Sequence, residues 1–187
     1  METLLSLATG LGLSTAAGFN AYVPLLITGV LARTTDVITL DAPFDRLEEP
    51  VVLGVIAVIG LIDFVGDKVP AVDHVLHAIG FVVAPIVGAA LALGVTSDTG
   101  ASPVVALVLG AVAAEATHGA RSVARPLSTV TTAGVGNPVL SLGEDGLSAT
   151  LSFAAILVPL LGVFLVVGVA ALVILAIRRR PRHRPIA

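Results

Sequence analysis

Three kinds of side chain here could do chemistry away from water: the amide of Asn20, the carboxylates of Asp63 and Glu115, and the imidazoles of His77 and His118. Each lies inside or at the edge of an apolar run. An ionisable group on an apolar helix is costly, and it normally faces a protein interior or a wet cavity. Asp63 and Asp67 are four residues apart and share a helix face, as do Asp73 and His77. Glu115 and His118 are three apart. A carboxylate beside an imidazole can relay a proton or hold a divalent cation. A carboxylate-bridged two-metal bundle needs two Glu-x-x-His motifs. Glu115 to His118 is the single one in this chain, so neither a metal nor a cofactor is expected. Asp67, Lys68 and Asp73 read as interfacial residues that pair among themselves. Arg121 and Arg125 read as positive anchors at a membrane edge.

These groups must be positioned by helices. Residues 4–32 carry no charge over 29 positions. As one straight helix they would run about 43 Å, more than the ~30 Å hydrocarbon core. Gly18, Asn20 and Pro24 sit near the middle and give a break its cause. A broken helix of this kind presents backbone groups to a solute or ion. Asn20 and Pro24 are therefore placed on a candidate pathway with Asp63, Glu115, His77 and His118. Further apolar segments follow at residues 51–69, 75–95, 103–119 and 147–177. Residues 126–143 are uncharged but rich in Thr, Ser, Gly and Pro, and read as a polar span, a re-entrant segment or an external loop. Gly134 to Pro138 could be a second break there. The chain therefore reads as an all-α, multi-pass bundle of five or six membrane segments with a broken first helix. One membrane domain covers residues 1–177, and a basic tail covers 178–187.

Composition agrees with that class. The chain has 187 residues, 56% hydrophobic and 12% charged. A soluble domain averages about 25% charged residues. The mean hydropathy is +1.04. An ordinary soluble enzyme and a disordered chain are both excluded. The absence of cysteine excludes a disulfide framework, a thiolate metal site and a cysteine nucleophile. Walker, Gly-x-Ser-x-Gly, His-Glu-x-x-His and dinucleotide fingerprints are all missing, so no enzyme is expected. Five of the ten basic residues fall in the last ten positions, directly after the longest apolar run. That cluster reads as a cytoplasmic stop signal rather than a nucleic-acid site. Counting basic residues favours six segments with both termini cytoplasmic.

Small residues recur every fourth position in three segments: Gly10, Ser14 and Gly18; Ala84, Gly88 and Ala92; Ala106, Gly110 and Ala114. Each set lies on one helix face, where small side chains let backbones approach closely. The same stripes serve a monomeric bundle, a homo-oligomer or a membrane partner.

Three stretches carry a family resemblance. They are GLSTAAGFNAYVPLLITGVLAR at residues 12–33, DKVPAVDHVLHAI at 67–79, and GNPVLSLGEDG at 136–146. Together they resemble a bacterial family of small integral membrane proteins, domain of unknown function 4126. The resemblance implies a multi-pass membrane protein and carries over no catalytic residues.

The expected function is a small transporter or permease in the bacterial inner membrane, proton-coupled through His77 and His118. Its partners would be the lipid bilayer and a small solute or ion. The rival expectation is a non-transporting subunit or scaffold. It would dock a partner through the small-residue faces and the acidic stretch at residues 36–49.

Overall fold

The computed structural model describes residues 1–132, 135–159, 167–168 and 171. Among these residues the chain is all-α, with six helices and no strand. The helices are α1 (Glu2–Phe19), α2 (Tyr22–Thr34), α3 (Pro50–Gly66), α4 (Pro70–Thr96), α5 (Pro103–Thr132) and α6 (Asn137–Leu157). A short 3-10 helix, Phe44–Glu48, lies before α3. Proline marks the starts: α3, α4 and α6 each have one in the first turn, and α5 opens on Pro103. The missing N–H of proline costs nothing there.

The first apolar run is broken, and the break is a reversal. Asn20 adopts extended backbone, φ −151° and ψ 119°, and ends α1. Pro24 falls in the first turn of α2, where its ring breaks nothing. Asn20 therefore makes the break, and Pro24 follows it. At the start of α1, Thr3 Oγ1 donates to Thr99 O beyond the end of α4. Ile38, four residues past α2, lines a groove with Leu5, Ser6 and Thr9. Had α2 continued the line of α1, the end of α2 would lie about 40 Å from Leu5. The chain instead doubles back, so Met1 and the stretch at residues 36–49 lie at the same end of the bundle.

α1 is the central element. Ser14 Oγ donates to Gly88 O of α4 at 2.7 Å, Thr9 Oγ1 to Ala155 O of α6 at 3.0 Å, and Ser148 Oγ of α6 to Ala16 O at 2.9 Å. The small-residue stripes meet one another. A Cβ on Gly10 would lie 3.1 Å from Ala92 Cα. A Cβ on Gly88 would lie 2.6 Å from Gly110 O, and one on Gly18 would collide with Ala114 O and Thr117. Ala84, Ala106 and Ala114 are buried. Ridges this shallow let α1, α4 and α5 pack with backbones nearly touching.

Many large apolar side chains point outward, around a buried core that includes Leu13, Leu91 and Leu151. Val51, Val55, Val58 and Ile62 of α3, Ile86 of α4 and Val112 of α5 are all exposed. In α3 the buried residue is Gly66 alone. Conversely, Ser14, Thr28, Ser148 and Ser152 are fully buried. This inverts the arrangement of a water-soluble bundle. Two segments, Val75–Thr96 and Pro103–Thr132, are long and apolar enough to cross a membrane, while α2 and α3 are shorter apolar helices.

Two sequence expectations change. Residues 126–143 are not one unit: α5 continues through Pro126 to Thr132, and α6 begins at Asn137. Thr131 and Thr132 bond along the helix there, to Ser128 O at 3.2 and 2.7 Å. Gly134, in the second candidate break, lies outside the described residues. The last helix also starts ten residues before the expected 147, because Pro138 opens α6 ahead of the charged pair Glu144 and Asp145. The basic tail at 178–187 lies outside the described residues.

Candidate functional site

The reversal at Asn20 organises one end of the bundle. Asn20 Oδ1 accepts the backbone N–H groups of Tyr22 at 2.9 Å and Val23 at 3.3 Å, capping α2. Its Nδ2 donates to Asp145 Oδ1 of α6 at 2.8 Å. Its own carbonyl accepts from Ser148 Oγ at 3.1 Å. A buried amide with both ends used fixes the reversal against α6. Asn20→Ala should cost about 1–3 kcal/mol, by losing the cap and stripping a donor from Asp145. Equilibrium unfolding in mixed micelles measures this, and a wild-type midpoint would refute the capping role.

Beside Asn20 is a cavity of about 40 Å³. Its polar walls are Asn20, Tyr22, Asp63, Asp67, His77, His118 and Arg121. A space of roughly 10–15 Å³ on this measure holds one water. The cavity therefore suits water-sized guests.

The two imidazoles stack, with ring centroids 4.7 Å apart and planes 29° apart. Phe81 packs edge-on to both rings. His77 Nε2 lies 2.8 Å from Ser122 Oγ, and Ser122 Oγ donates to His118 O at 2.9 Å. His118 Nε2 lies 3.2 Å from His77 O. Gly80 makes room for this pair: a Cβ there would run into the His118 ring.

A network of five charged residues closes the same end. Arg121 Nε donates to Glu144 Oε2 at 2.6 Å, Nη1 to Phe19 O at 2.6 Å, and Nη2 to Asp67 Oδ2 at 3.1 Å. Arg125 Nη2 donates to Asp67 Oδ2 at 2.9 Å and to Glu144 Oε2 at 2.8 Å. Arg125 Nη1 also pairs with Asp73 Oδ1. Ser141 Oγ adds a third donor to Asp67 Oδ2 at 3.1 Å. Two guanidinium groups on successive turns of α5 thus tie the end of α1, the α3–α4 corner and α6 together. Asp67, Asp73, Arg125 and Glu144 are all buried. Charges taken this far from water persist when paired and hydrogen-bonded on several sides.

The expected site residues divide. Asn20, Asp63, His77 and His118 come together around the cavity. Pro24 is buried in α2 and does not line it. Glu115 is half-buried, with Oε2 lacking a hydrogen-bond partner among the described residues, and it stands outside the lining. Arg121 and Arg125 are not membrane-edge anchors, because they are consumed in buried ion pairs. Nor does Lys68 pair with Asp67 or Asp73. Its Nζ donates to Phe64 O at 2.5 Å and sits over the Phe64 ring, while the arginines take the aspartates. Sequence reasoning missed Ser122, Ser141, Glu144 and Asp145. One available signal was the isolated pair Glu144 and Asp145 in a segment otherwise free of charge from Pro126 onward.

No curated protein and no solved structure matches the chain. A family model does, over residues 7–179. That span includes the reversal, the cavity, the ion-pair network and all three resembling stretches, so the chain belongs to the family described as domain of unknown function (DUF4126).

Proposed function

We propose that this chain is a multi-pass integral membrane protein that works as a small transporter or permease, with its pathway through the cavity at the Asn20 reversal. One observation carries the reading. A reversal lined by an amide, two carboxylates, two imidazoles and a guanidinium sits between helices whose outer faces carry large apolar side chains. Intramembrane polar groups gathered at a helix break are a recurring design of permeation sites. The bilayer is the natural partner of the outer faces, because helices there associate through small residues and hydroxyls, as α1, α4 and α5 do. We place the protein in the bacterial inner membrane with its basic tail cytoplasmic.

The rival reading, a scaffold that docks a partner through its small-residue faces, draws less support. Gly10, Ser14, Gly18, Gly88 and Gly110 are turned on each other within the chain. Only the acidic stretch at residues 36–49 remains for it.

The chain has no cysteine, so single ones can be introduced cleanly. Asn20→Cys and Asp63→Cys should react with a small membrane-impermeant thiol reagent from one side of intact cells. Ser14→Cys, buried in the α1–α4 contact, should not. If folded Asn20→Cys and Asp63→Cys both stay unlabelled from either side, the pathway is wrong and the scaffold reading takes its place.

A further inference from the structure

The hydroxyl of Ser122 settles the state of its neighbouring imidazole. A carbonyl can only accept, so the single Ser122 hydroxyl proton goes to His118 O. Its oxygen is then left to accept, and this pairing assigns the hydrogen of the neutral ring to His77 Nε2 opposite it. The lone pair of neutral His77 is therefore on Nδ1. That atom is buried and has no hydrogen-bond partner among the described residues.

Two acceptor atoms around the cavity are already occupied. Asp67 Oδ2 already takes three donors, from Arg121, Arg125 and Ser141. Asn20 Oδ1 takes two backbone N–H groups. Asp63, half-buried in α3, lines the same cavity as His77 of α4 and His118 of α5. A hard metal cation seeks about six oxygen ligands. This wall offers it two carboxylates, one of them already paired with two arginines, and sets the Arg121 guanidinium beside them. A proton needs one donor, one acceptor and a water between them.

We infer that Asp63 and His77 Nδ1 form a proton-exchange pair across the cavity, so that the ion handled at this site is a proton. This rests on the reading of the cavity as a pathway. In the forward step the Asp63 carboxyl gives its proton to a water, and the water gives one of its own to His77 Nδ1. The products are a carboxylate and an imidazolium, and the reverse step restores two neutral groups. The charged and titratable groups facing His77 are His118, Arg121 and Arg125 from α5 and Asp67 from the α3–α4 corner. Those facing Asp63 are Asp67, Arg121, Arg125, Tyr22 from α2 and Asp145 from α6. Ser122 is a positioning residue, because it turns the lone pair of His77 away from itself.

The test is nitrogen NMR on the full chain in lipid nanodiscs, labelled at its four histidines and assigned through single His→Gln variants. Neutral His77 should appear as the Nε2–H tautomer, and Ser122→Ala should mix the two tautomers. Asp63→Asn should lower the imidazolium fraction of His77 several-fold at a fixed pH, and Asp63→Glu should restore it. A neutral His77 protonated at Nδ1, or an Asp63→Asn spectrum that overlays the wild type at every pH, overturns the inference. The two readings fail separately. Labelled cysteines with an indifferent His77 leave the pathway and remove the proton. Unlabelled cysteines with a coupled His77 leave proton exchange and remove the pathway.

Discussion

Arg121→Ala should destabilise the fold by about 3–5 kcal/mol, the usual cost of deleting one partner from a buried ion pair. Arg121 serves three acceptors on three elements, and among the described residues no other side chain is bonded to Phe19 O. The network holds three carboxylates against two guanidiniums, and losing one leaves Arg125 to face all three. Arg121→Lys should recover part of the loss. One ammonium cannot reproduce a planar fork that reaches a carbonyl and two carboxylates at once. Glu144→Gln in the Arg121→Ala background should be less harmful than in the wild type, since the charge it removes is already under-compensated. A double-mutant cycle by equilibrium unfolding should return a coupling of about 0.5–3 kcal/mol, as expected for residues of one network. Additive effects would show that the network does not act as a unit.

The second large effect is expected from a single methyl group. Gly88→Ala and Gly110→Ala each place a Cβ within 2.6 Å of the facing backbone carbonyl, at 2.6 and 2.5 Å. Backbone cannot step aside as a side-chain tip can, so α4 and α5 must separate. Overpacking of this kind costs about 1–3 kcal/mol. It should also loosen the bond from Ser14 to Gly88 O. Gly54→Ala is the control, because a Cβ there meets nothing within 4 Å. That substitution should be neutral or gain about 0.5–1 kcal/mol of helix propensity. Equal stability of Gly88→Ala and Gly54→Ala would mean that the α4–α5 contact is looser than described.

Much of the architecture was legible because its signals are local. The apolar runs at 51–69, 75–95 and 103–119 mark α3, α4 and α5, and Asn20 within the first apolar run marks a break. The fourfold spacing of Gly and Ala pointed to the faces on which α1, α4 and α5 meet. The direction taken after the break was not legible. A kink and a reversal use the same residues, and the choice rests on whether α2 finds α3 and α6 to pack against. Residues 126–143 misled for a related reason. Thr and Ser weaken a hydropathy signal, yet on a helix their hydroxyls bond back to carbonyls one turn away, as at Thr132.

The site was half legible on the same grounds. Asn20, Asp63, His77 and His118 stand out because each interrupts an apolar run. The ion pairs do not, because their partners are far apart in the chain: Arg121 and Asp67 by 54 residues, and Arg125 and Asp67 by 58. Sequence adjacency suggested that Lys68 would neutralise Asp67. Consecutive residues point in different directions from a helix end, and α5 brings in a better-shaped cation.

The doubling back at Asn20 also bears on how the chain is made. α2 has 13 residues, about 20 Å of helix, too short to cross a bilayer alone. In the proposed membrane protein it would not act as a separate stop in a translocation channel. On the proposed membrane reading, α1 and α2 would leave the channel together as one hairpin, with the bend at Asn20 leading and the N-terminus held back beside the acidic stretch. The cap that Asn20 places on α2 draws on its own neighbours, Tyr22 and Val23, so the bend can form during synthesis, before α6 exists to receive it.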